Sequence, residues 1–137
     1  MRHRISRLRL TQKPAHAKML LRNLVTSLLL YENIRTTRSR ADVVRPVIDR
    51  IITVAKSKTP SVAIRRINRI VTDKNACRKV MEVLRDRYKA RSSGMTRMVP
   101  VGSRKGDGAM LVDVSLIDAA DSIMAADTSK VSSKKKA

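Results

Sequence analysis

The sequence predicts an α+β fold in two layers: a helix, a short strand, three further helices and a C-terminal β-hairpin, behind an extended basic N-terminal arm. Three observations predict it. Apolar residues recur at three- and four-residue steps from about Ala15 to Tyr88, the period of amphipathic helices. After Gly94 the pattern changes to alternation, the period of half-buried strands. A length of 137 residues with 42% apolar content supplies one core and leaves little room for a second. The expected organisation is an arm over residues 1–14, a single domain over 15–118 and a flexible C-terminal tail over 119–137.

In the arm, arginines alternate with small or apolar residues up to Pro14, and no stable amphipathic pattern forms. Met19, Leu20, Leu24, Val25, Leu28 and Leu29 then define a first helix ending near Tyr31. Ile34 to Thr37 is β-favouring and too short for another helix, so a strand is expected there. Ser39 and Asp42 resemble a capping box for a second helix that carries Val43, Val44, Val47, Ile48, Ile51, Ile52 and Ala55. Pro46 interrupts that pattern, which implies either a kink or a later start to the regular helix.

Thr59-Pro60 is a start signal for a third helix reaching about Val71. The fourth should start at Asp73 to Asn75 and align Cys77, Val80, Met81, Leu84 and Tyr88. Met98 to Val101 reads as a strand, Gly102 to Gly108 as a basic turn-rich loop, and Met110, Val112, Val114 and Leu116 as the inward positions of the last strand. Pro100 should make its strand an edge strand or irregular. Met19, Met81 and Met110 are expected as filler in the core. Residues from Ala119 are small and polar and end in a lysine run, which predicts a flexible tail with at most a short helix near Ile123 and Met124.

Charge narrows the function. Thirty-one Lys and Arg face 11 Asp and Glu, a formal charge of +20 whose self-repulsion an anionic partner would relieve. The first acid is Glu32, and the basic stretch before it superficially resembles a transit peptide; its periodic apolar face, which needs a partner, favours an arm that stays on. With no Trp or Phe, and only Tyr31 and Tyr88 as aromatics, the stacking platforms of single-strand readers are absent. Binding through phosphates and duplex shape remains. One cysteine, Cys77, excludes an internal disulfide and a zinc finger. No purely apolar stretch is longer than Leu28 to Tyr31, far below the ~18–20 residues of a membrane span, so a soluble protein is expected.

Catalytic constellations are scarce. His3 and His16 have no nearby acid to orient them, which favours phosphate contact or plain exposure over general-base work. Cys77 lies on an apolar stripe, where cysteine acts as a small core residue, although Arg78 and Lys79 follow it. The Gly102 to Gly108 loop has glycines and a lysine but lacks phosphate-loop spacing. No enzyme, cofactor, metal site or small-molecule substrate is expected.

MRHR at the start, RNLVTSLL at Arg22 to Leu29 and Ile34-Arg35-Thr36-Thr37 occur in order. Ile52-Thr53 with Ala55-Lys56, Tyr88 with Arg91, Gly94 with Thr96-Arg97, and Gly102, Arg104 and Gly106-Asp107 follow. Together they resemble the bacterial large-subunit ribosomal protein seventeen family over residues 1–117. Ser93, Met95 and the Val83-Leu84 pair depart from its usual glycine, tyrosine and Leu-Phe. The resemblance implies the same element order, a cytoplasmic ribosomal location, and ribosomal RNA as partner, beside other large-subunit proteins near the nascent-chain exit region.

The candidate RNA contacts begin with the arm, Arg2, His3, Arg4, Arg7, Arg9 and Lys13. Arg22, Arg35, Thr36, Thr37, Arg38 and Arg40 follow around the first helix and strand. Arg65, Arg66 and Arg69 form a helical cluster, and Arg91, Arg97, Arg104 and Lys105 belong to the hairpin region. Arginine suits this work because its planar fork bonds phosphate through two parallel hydrogen bonds. A DNA-compacting nucleoid protein is the main rival, and a helix-turn-helix regulator a weaker one.

Overall fold

A computed structural model describes residue 10 and residues 12–118. Most of the arm and the whole 119–137 segment, including the expected helix near Ile123, lie outside the described residues.

The element order matches the expected one. Helix α1 (Pro14–Tyr31) is followed by β1 (Asn33–Thr37), α2 (Arg38–Ser57) and α3 (Pro60–Ile67). The fourth helix, α4, starts at Lys74–Lys79, widens into a π turn over Val80–Leu84 and finishes as Arg85–Arg87. Strands β2 (Thr96–Ser103) and β3 (Met110–Leu116) form the hairpin. All three strands are antiparallel in the order β1-β3-β2, so β3 is central.

Alternation fixes the two faces of this sheet. Val112, Val114 and Leu116 of β3, Thr36 of β1 and Thr96 of β2 are buried on the inner face. They meet Val25, Leu28 and Leu29 of α1, Val44, Ile48, Ile51 and Ile52 of α2, and Val80, Leu84 and Tyr88 of the fourth helical segment in one core. The outer face carries Asn33, Ser115 and Arg97 in one cross-strand row and Arg35, Asp113 and Val99 in the next. No described element covers that face, which gives the predicted two layers.

Several boundaries differ from those expected, each for a local reason. Pro14 is the first residue of α1, where its missing N–H costs nothing and its fixed φ suits the helix. Helix α2 begins at Arg38, directly after the strand, and Ser39 is inside it rather than its cap. The helix continues unbroken past Pro46, whose ring is exposed, so its regular part does not begin later. Helix α3 stops at Ile67, four residues short of the expected end. There α1 captures the backbone beyond it: Arg22 Nε donates to Ile70 O at 3.0 Å and Thr72 N to Thr26 Oγ1 at 3.3 Å.

The start of α4 follows expectation, with the Asp73 carboxylate accepting from Asn75 N at 2.9 Å. Its buried residues Ala76, Val80, Leu84 and Tyr88 are spaced by four. On a regular α-helix each such step drifts by about 40° around the axis. The π turn absorbs that drift and keeps the row facing inward.

Pro100 acts as predicted in both senses. β2 is an edge strand, and its pairing with β3 slips between Pro100 and Gly102. Of the three methionines expected in the core, only Met81 packs against it; Met19 is 49% exposed and Met110 48%. The fully buried residues of α1 begin at Val25, and in its first half Leu21 and Leu24 pack against the core while Met19 stays on the exposed side. Met110 begins β3 next to the exposed hairpin tip, where the long side chain of Arg38 reaches it. The methionine that fills the core is Met95, fully buried, with its amide donating to Asp49 Oδ1 at 3.0 Å. Leu84 is buried while Val83 is exposed, and Ser93 is exposed.

Candidate nucleic-acid interface

The open sheet face, the start of α2 and the hairpin tip form one basic region. Arg35 and Arg97 project from the outer face of β1 and β2, where alternation with the inward-facing Ile34, Thr36, Thr96 and Met98 sends them away from the core. Arg38 reaches back to the hairpin, its Nη1 3.9 Å from Met110 Sδ. Arg104 and Lys105 occupy the tip, which is closed by Gly108 N donating to Arg104 O and Arg104 N to Ala109 O, both at 2.9 Å. Gly108 at φ +66° takes the left-handed conformation that turn demands.

Two of these arginines are paired with carboxylates. Arg35 Nε and Nη2 donate to Asp113 Oδ1 and Oδ2 at 2.7 and 3.0 Å. Arg104 Nε donates to Asp107 Oδ1 at 2.8 Å, and its Nη2 to Asp107 Oδ2. The Arg35 guanidinium holds the Asp113 carboxyl below the usual range. The Arg104 guanidinium, helped by the Ala109 amide, does the same for Asp107 more strongly. Both carboxylates are therefore ionised at neutral pH.

The remaining candidates divide by their surroundings. Arg66, Arg69, Arg97 and Lys105 are exposed and make no ion pair or side-chain hydrogen bond among the described residues. Arg65 Nε donates to Ser61 O on its own helix at 3.3 Å. Thr37 lies on the open face and Arg40 is half-buried on the first turn of α2. Arg91 contacts Gly94 O at 3.4 Å and Asp118 at 3.7 Å. Lys13 precedes α1 and is exposed.

Two candidates are placed against their expected role. Thr36 is 7% exposed on the inner face, so it is a core residue and presents nothing to a ligand. Arg22 has its Nε committed to the backbone of residue 70, which makes it first a clamp between α1 and the α3–α4 link. Arg2, His3, Arg4, Arg7 and Arg9 lie outside the described residues.

Residues that the sequence alone did not single out are the acids. Asp107 stands three residues from Arg104, a local signal. Asp113 is 78 positions from Arg35, and only the β1–β3 register joins them. Glu32, just past α1, accepts from Arg87 Nη1 at 2.7 Å and Nη2 at 3.3 Å, with Lys79 Nζ at 2.6 Å. Burial opposes ionisation of this carboxyl, but hydrogen bonds from Arg87 and Lys79 outweigh it and leave its pKa lowered. Cys77 is buried on its helix, which pushes its thiol pKa up and favours the packing role over a reactive one.

A profile of the family described as Ribosomal protein L17 matches residues 20–117. The chain belongs to the ribosomal protein L17 family. A curated relative named large ribosomal subunit protein bL17, from Anaeromyxobacter sp. (strain K), is 40% identical over 120 residues, covering 88% of this chain and 75% of the relative. Its namesake from Myxococcus xanthus is 36% identical over 128 residues, covering 93% and 91%. That of Endomicrobium trichonymphae is 42% identical over 103 residues, covering 75% and 87%. The L17 match begins within α1 and ends one residue after β3, so it contains the whole sheet with Arg35, Arg97 and the hairpin tip. No helix among the described residues is long and apolar enough to cross a membrane.

Proposed function

We propose that this protein is a structural constituent of the large ribosomal subunit in the cytoplasm, where it binds and stabilises folded ribosomal RNA through phosphate and shape contacts and so supports translation. The observation that carries this reading is a sheet, lying wholly within the family match, whose uncovered face and hairpin tip present arginines to solvent. Membership of the L17 family and relatives named as large-subunit proteins support it. The folded part sets geometry, and the cationic side chains neutralise phosphates that crowd together when RNA helices pack. Neighbouring large-subunit proteins near the nascent-chain exit region belong to the same proposal, as does a role without catalysis.

Sedimentation tests the assignment. The protein is expected to travel with large ribosomal subunits and to be released by RNase but not by DNase. Release by DNase alone would turn the reading toward DNA compaction. A second expectation concerns Arg2, Arg4, Arg7 and Arg9. Deleting residues 2–9 should weaken binding to large-subunit RNA and reduce the slope of log K against log salt by about 3, at ~0.7–0.9 for each phosphate no longer neutralised. Circular dichroism of the deleted protein should keep the helical signal of α1 to α4. An unchanged salt slope would remove the arm from the principal contacts.

A further inference from the structure

Among the described residues, three arginines are held by carboxylates through two hydrogen bonds, and they divide by which edge of the guanidinium is used. Arg87 meets Glu32 with its terminal edge, Nη1 and Nη2. Nε and one hydrogen on each Nη remain, but the pair is largely buried, with side-chain exposures of 22% and 13%. Arg35 and Arg104 do the reverse. Each gives Nε and Nη2 to its aspartate, Asp113 or Asp107. Of the five N–H groups of a guanidinium, three then remain, and they include the parallel Nη1 and Nη2 donors of the terminal edge. Both side chains stay exposed, at 60% and 52%.

We propose that Asp113 and Asp107 are positioning residues for RNA: each fixes an exposed arginine by its Nε edge and leaves the terminal edge free to grip a phosphate with two hydrogen bonds. This rests on the reading of the protein as an RNA binder. An acid beside an RNA-facing arginine is otherwise hard to account for. It subtracts attraction for phosphate, and an exposed pair in high dielectric adds little to stability. What it does supply is order. Arginine has large rotamer freedom, and a side chain already held in place by folding gives up less of it on binding. The two pairs reach the same geometry by different routes, a cross-strand pair spanning the β1–β3 register and a three-residue loop pair, which argues against coincidence of one local motif.

Simple electrostatics and positioning predict opposite signs. Asp113→Asn and Asp107→Asn each raise the net charge by one, so charge alone should tighten binding to RNA. Positioning predicts weaker binding, by about threefold to tenfold for each variant, the scale of immobilising one rotamer-rich side chain. The measurement is a double-mutant cycle with full-length protein and protein-free large-subunit RNA at fixed salt, pairing Asp113→Asn with Arg35→Gln and Asp107→Asn with Arg104→Gln. In the glutamine backgrounds the loss caused by the asparagine should vanish. A merely structural aspartate would cause the same loss with or without its arginine, and that result overturns the proposal. Unchanged or tighter binding by both single variants overturns it equally. Asp107 sits at the hairpin tip, away from the core, so its arm of the test stands even if Asp113→Asn disturbs the sheet. Failure of the wild-type protein to bind the RNA at all would instead refute the ribosomal reading, and is distinguishable because it needs no variant.

Discussion

Replacing Tyr88 by alanine is expected to cost about 3–5 kcal/mol, a large part of the ~5–15 kcal/mol that holds a small domain folded. Tyr88 is among the largest fully buried side chains, at 1% exposure, and the other aromatic residue, Tyr31, is exposed. The core has no second aromatic to fill the space. Its hydroxyl donates to Ile117 O, tying the end of the fourth helical segment to the end of β3. Burial pushes the phenol pKa up, so the group stays a protonated donor at neutral pH. Alanine removes the ring and orphans that carbonyl together. Tyr88→Phe keeps the ring and should lose only the hydrogen bond, about 1 kcal/mol. Urea unfolding of the three proteins at pH 7 separates the terms. A Tyr88→Ala midpoint close to wild type would mean that the neighbouring aliphatic side chains collapse into the space.

Tyr88 was legible as a stripe residue because helical periodicity reports which side faces inward. What periodicity does not report is the partner across the core, and the largest departures from expectation share that cause. The end of α3 at Ile67 is decided by Arg22 and Thr26 of α1, more than forty positions away. Met19 and Met110 fit apolar rows, yet no layer lies over them. Met95, which belongs to no clear row, is buried because Asp49 of α2 anchors its amide. Pro100, by contrast, acts through its own missing N–H and was readable without any partner.

The candidate interface shows the same division. Adjacent residues of a strand face opposite ways, so Thr36 and Thr37 could not both reach a ligand. Only the pairing of Thr36 with Val112 settles which of them turns inward. Arg35 and Arg97 follow from alternation once that choice is made. In composition an acid is only a deficit of positive charge, whereas in the fold most of the described acids hold a particular partner. Asp49 anchors a turn, Asp73 caps a helix, and Asp107 and Asp113 hold arginines.

Glu32 has the most demanding of these roles, and its removal should show it. The residue sits at φ +62° just past α1, a conformation in which glycine is ordinarily preferred and a side chain costs about 1–2 kcal/mol. If backbone strain were decisive, Glu32→Gly would stabilise the fold. The opposite is expected. The carboxylate is 13% exposed and receives both Arg87 and Lys79, whose Nζ also caps Leu30 O at 2.8 Å. Without it two partly buried cations face each other, at a cost of about 3 kcal/mol before the strain relief is subtracted. Glu32→Ala, which gains no such relief, should lose the full amount. Acid removes the same interaction in the wild-type protein. The folded-state pKa of Glu32 lies below its ordinary value of 4.5, so its contribution is complete above about that pH and declines as pH falls through the lowered folded value. Thermal unfolding of wild type and Glu32→Ala should therefore differ most at pH 6–7 and differ less as the pH falls below about 4.5. A gap that stays constant over this range would mean that the glutamate acts through its packing and not through its charge.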